Sequence, residues 1–148
     1  RETTSAGDTV FHAAAISGHL EQLPAELLTH DNLVLASKSG FTAIHAPAET
    51  GHLDKIPPAR LTADLLLTRN DNGDTPLHAA AYEGHLNQVP PELLSRANVD
   101  TRNYDGVTVA RTALDRGFHT QIPDESRPRM MTPFRRFLHK LGRSKPPF

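Results

Sequence analysis

The chain has 148 residues, 37% hydrophobic and 22% charged, which suits one domain large enough to bury a core. No run approaches the roughly 20 apolar residues of a membrane-spanning helix, and the lack of cysteine removes disulfides, thiolate metal sites, iron–sulfur clusters and cysteine nucleophiles together. The net charge of −1 conceals a segregation: residues 1–125 hold all 17 acids and nine bases, while residues 126–148 hold seven bases and no acid.

Three residue types recur in four series with a period of 33. Gly7, Gly40, Gly73 and Gly106 form one series, and Gly18, Gly51, Gly84 and Gly117 a second. Pro24, Pro57, Pro90 and Pro123 keep the same beat, as do Thr9, Thr42, Thr75 and Thr108. The period divides the chain into units of about 4–36, 37–69, 70–102 and 103–125, with 126–148 as a basic tail.

The first unit carries Thr9-Val10-Phe11-His12-Ala13-Ala14 and then Gly18-His19-Leu20. The second carries Thr42-Ala43-Ile44-His45-Ala46-Pro47 and Gly51-His52-Leu53; Pro47 lies inside its first helix and threatens that helix's regularity. The third is the best formed. Asn72-Gly73 marks a turn, Thr75 suits a helix N-cap and Pro76 the first helical position, and Gly84 suits a left-handed C-cap before His85-Leu86. A second helix is expected to start at Pro90-Pro91 and carry Glu92-Leu93-Leu94, so each unit reads as turn, helix, loop, helix. The fourth unit is degenerate, with Arg111 in the histidine position of Thr108-Val109-Ala110-Arg111-Thr112-Ala113 and Gly117-Phe118-His119 for Gly-His-Leu. In the tail, Thr132-Pro133 opens an amphipathic helix with Phe134, Phe137, Leu138 and Leu141 on one face and Arg135, Arg136 and Lys140 on the other.

The period, with Thr75-Pro76-Leu77-His78-Ala79-Ala80 and the Gly-His-Leu triplets, resembles the ankyrin repeat family over roughly residues 4–125. The resemblance implies an all-α repeat solenoid: four stacked helix-turn-helix units joined by β-turn or hairpin loops, the last degenerate. It also implies that His12, His45 and His78 brace their hairpins by bonding the threonine of their own motif and neighbouring backbone. The proline series marks a variant in which a shorter outer helix starts at each proline.

Other chemistry finds little support in the residues. Six of the nine histidines occupy two repeat columns, in successive layers roughly 10 Å apart, too far to converge on one zinc ion. Asn70-Asp71-Asn72-Gly73 superficially suggests a calcium loop, but Thr68 and Ala79 stand where its first acidic ligand and bidentate glutamate should be. A phosphate loop, a nucleophile elbow and a His-Glu-x-x-His helix are all missing. No catalytic residue, metal or cofactor is assigned, and the chain is read as non-enzymatic.

What the resemblance implies instead is a binding surface, formed by hairpin tips and the exposed positions of each first helix. Carried onto this chain, the partner-contacting positions include Lys38, Phe41, Asp71, Asp74, Tyr104, Asp105 and Val107 at the turns. The pairs before each helix-ending glycine add Ile16/Ser17, Glu49/Thr50, Tyr82/Glu83 and Asp115/Arg116. Phe41, Tyr82 and Tyr104 are the expected aromatic anchors, with Lys38, Glu49, Asp71, Asp74 and Asp105 setting electrostatic fit. The expected partner is a protein engaged by a monomer. The tail has two readings: a cap on the fourth unit, or a binder of anionic membrane or nucleic acid. A third reading makes the chain a regulatory fragment of a larger protein. Freedom from cysteine fits a cytoplasmic address, and the start at Arg1 rather than Met fits a trimmed N-terminus.

Overall fold

The computed structural model describes residues 9–128. Within them the chain forms, in order, α1 (Val10–Ile16), α2 (His30–Leu33), α3 (His45–Thr50), α4 (Ala63–Leu66), α5 (Pro76–Glu83), α6 (Arg96–Val99) and α7 (Val109–Asp115). The odd-numbered helices are the inner row and stack in sequence, α1 on α3, α3 on α5 and α5 on α7. The result is the expected all-α solenoid of four units. Isolated antiparallel bridges, Ala36 with Thr42 and Arg102 with Thr108, close two of the hairpins between units.

The outer row departs from a continuous proline-started helix. Each outer segment is two 3₁₀ turns, such as Leu86–Gln88 and Pro91–Leu93, and in units 1–3 a single α turn follows, α6 in this case. The prolines explain the break. A residue before proline is forced out of the α region, and Val89, with ψ 132°, is extended. Pro90 follows at φ −52° and ψ 132°, and the same two-residue interruption precedes the second turn in every unit. Three residues of 3₁₀ are about what that helix sustains. The final α turns are then restarted by N-caps: the hydroxyls of Thr29, Thr62 and Ser95 accept from the amides of Asn32, Leu65 and Asn98, each at 3.3 Å.

Pro47 has the local effect foreseen. Having no N–H, it cannot bond the carbonyl of residue 43. The chain instead enters through a tight turn, His45 N–H to the Thr42 carbonyl at 2.9 Å. Helix α3 therefore starts at His45, two positions later than α5 in the shared register.

The core is a set of leucine-rich columns running through the stack. Leu20, Leu53 and Leu86 form one, Leu33, Leu66 and Val99 another, and Leu28, Leu61 and Leu94 a third, all buried. In the fourth unit that third column is filled by Arg127. Its guanidinium donates to the carbonyls of His119, Thr120 and Ile122 and pairs with Asp124. One cation of the basic stretch is thus tied into the fourth unit, satisfying its carbonyls. Leu114, whose column partners Ala15, Ala48 and Ala81 are buried, is left 36% exposed at this end. The amphipathic helix read at 132–141, with Arg135, Arg136 and Lys140, lies outside the described residues.

Candidate functional site

The inner helices owe their register to a threonine–histidine pair at each N-terminus. In units 1–3 the N–H of Thr9, Thr42 and Thr75 donates to Nδ1 of His12, His45 and His78 at 3.1, 3.3 and 3.2 Å. Nδ1 is therefore an acceptor, and Nε2 carries the proton. Each Nε2–H donates to a backbone carbonyl 29 residues on, in the next unit: Phe41 at 2.9 Å, Asp74 at 3.0 Å and Val107 at 3.0 Å. Burial lowers the pKa of His45 and His78 below the ordinary 6.5, against the opposing pull of those carbonyl bonds, so both rings are held neutral.

Above these braces α3, α5 and the hairpins beside them enclose a groove of about 270 Å³. Its lining includes the rings of Phe41 and Tyr82, the carboxylates of Glu49, Asp74 and Glu83, and the amides of Asn70 and Asn103. Phe41 is half-buried and stands 5.2 Å from the His45 ring, tilted by 36°. Tyr82 is 51% exposed and carries the Arg116 guanidinium 4.2 Å from its ring centroid. Glu49 has its pKa raised above the usual 4.5, first by partial burial and then by the charge of Glu83. Among the described residues no group of three histidine, aspartate or glutamate side chains converges to hold a metal, and no helix is long and apolar enough to cross a membrane.

A family model, that of the ankyrin repeat, matches residues 72–104. That stretch is an ankyrin repeat, and the stacked units around it share its inner-helix geometry. A search of curated proteins finds no match to it. Ankyrin repeats act in general as protein–protein interaction units and are typically non-enzymatic.

The stack brings Phe41, Glu49, Asp74, Tyr82 and Glu83 together in the groove and leaves the other expected positions outside it. Lys38, Asp71 and Asp105 are exposed on the hairpins. Tyr104, 70% exposed, lies over Gly73 with Arg69 at 5.9 Å from its ring. Val107 is half-buried; its carbonyl receives His78, and its side chain borders a second, shallower hollow at the C-terminal end of the stack.

Two columns of the stack have roles that the sequence reading did not assign. Gln88 and Gln121 each clamp the unit before their own. Gln88 donates to the Gly51 carbonyl at 2.7 Å and accepts from Leu53 N–H at 3.2 Å; Gln121 does the same to Gly84 and Leu86 at 2.9 and 3.0 Å. Gln22, Gln88 and Gln121 obey the period, and Lys55 interrupts it, so the pattern was visible but without a stated role. The second column is a row of rings lying over the glycines of the preceding layer: His52 over Gly18, His85 over Gly51 and Phe118 over Gly84. Phe118, a departure from the Gly-His-Leu motif, does the work of a ring there, for which a histidine is not required.

Proposed function

We propose that the chain is a protein-binding module that captures its partner on the concave face of units 2–4. The observation that carries this is the groove itself, where Phe41, Glu49, Asp74 and Tyr82 gather from two units around one volume. A half-exposed tyrosine beside a second ring offers large area at low side-chain entropy, the kind of anchor that dominates interfaces. The Thr–His braces beneath hold that surface rigid, which reduces the ordering cost of binding.

The test is site-specific photo-crosslinking. A benzophenone amino acid at Tyr82 is expected to capture a protein partner, with capture competed by the unmodified chain, while the same probe at Glu92 on the outer row captures nothing comparable. Identical products from both positions would sink the assignment. Tyr82→Ala with Tyr104→Ala is expected to weaken binding of the captured partner without unfolding the chain. Phe41 suits this comparison less well, because its ring also packs on the core.

A further inference from the structure

Resting on that protein-binding reading, we propose that the groove takes an arginine side chain presented by a basic segment of a separate protein partner. The lining holds three carboxylates, from Glu49, Asp74 and Glu83, and no lysine or arginine. Its two imidazoles cannot supply the missing charge, because each already accepts at Nδ1 and donates at Nε2 within the scaffold. Asp74 is partly satisfied by Asn103 Nδ2 at 2.8 Å. Glu49 and Glu83 form no ion pair among the described residues, and their mutual repulsion contributes to the raised pKa of Glu49. A cation placed between them would relieve that repulsion while leaving the brace below untouched.

Size and shape narrow the ligand. A volume near 270 Å³ is at the small end of ligand clefts and accommodates one long side chain. A lining that combines the aromatic residues Phe41 and Tyr82 with three acidic residues matches a planar guanidinium, which stacks on rings and forks to carboxylates, better than a compact ammonium. The Tyr82 ring already accepts such a contact from Arg116, which is not among the groove-lining residues. The acidic body, with 17 acids against nine bases in residues 1–125, would steer a basic segment toward this face.

The experiment is a fluorescence-anisotropy titration of the full chain with a short fluorescein-labelled peptide of alternating alanine and arginine. The comparison peptide replaces arginine by citrulline, which keeps the shape and removes the charge. Glu49→Gln with Glu83→Gln is expected to weaken the arginine peptide about tenfold, while Asp54→Asn with Glu92→Gln, an equal charge change on the outer row, weakens it less than about twofold. Equal losses in the two variants overturn the proposal, because attraction to the acidic body would then suffice. Equal binding of the citrulline peptide overturns it as well. So does binding that emerges only after Arg135, Arg136 and Lys140 are changed to glutamine, since the chain's own tail would then be the occupant. If Tyr82 crosslinks a partner while the arginine peptide fails, the partner chemistry falls and the protein-binding reading stands.

Discussion

The Nε2–H of His45 donates to the carbonyl of Asp74 across 3.0 Å, although the two residues stand 29 apart in the chain. The same bond recurs from His12 to Phe41 and from His78 to Val107, so one imidazole both caps a helix and fastens the next layer. The capping half of the brace requires Nδ1 to remain unprotonated, since a threonine N–H donates to it.

Acid should therefore loosen the stack before it titrates ordinary carboxylates. The folded-state pKa values of His45 and His78 lie below the unfolded value of 6.5, so their contribution is complete above pH 6.5 and is lost as pH falls through the lowered values. Desolvation dominates both shifts. Asp74 opposes it at each ring, while His12 and His78 reinforce it at His45 and Arg69 reinforces it at His78. Urea midpoints measured from neutral pH downward should fall below pH 6.5, and His78→Asn should flatten that slope. A slope unchanged by the substitution would remove the histidines as its cause.

Glu49 carries the opposite sign. Its folded pKa is raised, by burial and then by Glu83, so the charged form costs stability as pH rises past the usual 4.5. Glu49→Gln is expected to raise the denaturation midpoint at neutral pH, with the gain shrinking toward zero as pH drops through the raised value. A destabilised variant at neutral pH would contradict this.

The glutamine clamps set a stability difference between junctions. Gln88→Met removes a donor and an acceptor from Gly51 and Leu53, and is expected to cost about 1–2 kcal/mol in chemical denaturation. Lys55 occupies the equivalent position facing unit 1 and cannot accept a bond from an amide. Lys55→Gln should install the missing clamp and add about 0.5–1 kcal/mol. Loss of stability in Lys55→Gln would mean that the first junction has a different geometry.

Gly73 and Gly106 separate backbone strain from crowding. Both are left-handed, at φ 74° and 77°. A Cβ on Gly73 would stand 2.7 Å from the backbone nitrogen of Tyr104, whereas one on Gly106 would meet nothing within 4 Å. Gly106→Ala should cost about 1 kcal/mol, the left-handed penalty alone. Gly73→Ala should cost roughly 2 kcal/mol more, because the hairpin backbone must yield. Equal thermal shifts would refute the crowding.

Much of this architecture was legible. The 33-residue beat and Thr75-Pro76 foretold inner helices capped by threonine, the family resemblance implied the histidine brace, and Pro47 foretold an irregular α3. The outer row was read less well: proline was taken as a helix start, while its stronger effect is on the residue before it, which splits the segment into 3₁₀ turns. The groove was the least legible feature. Of the expected contact positions Phe41, Glu49, Asp74, Tyr82 and Glu83 share it and the rest do not, because convergence depends on how far adjacent layers rotate and not on spacing within a repeat. The glutamine column was overlooked because an exposed-looking glutamine has no distinctive chemistry until a neighbouring amide and carbonyl are placed beside it.

The uneven fastening of the layers has a consequence for how the molecule comes apart. Among the described residues units 1 and 2 are joined by the backbone bonds of Ala43 to Leu35 and Ile44 to Leu33 and by one side-chain tether, His12 to Phe41, with lysine where the clamp would be. Units 2 and 3 add the Gln88 clamp, Arg69 on the Arg102 carbonyl and His85 on the Ala48 carbonyl. Units 3 and 4 have the Gln121 clamp, Arg116 on the Tyr82 carbonyl, Asn103 on Asp74 and a backbone bond from Tyr104 to Asn72. In a one-dimensional array, where stability is close to a sum over neighbours, such a gradient makes fraying directional: amide exchange should run fastest in α1 and slowest in α5 and α7. The surface around Tyr82 would then be the last part of the solenoid to melt.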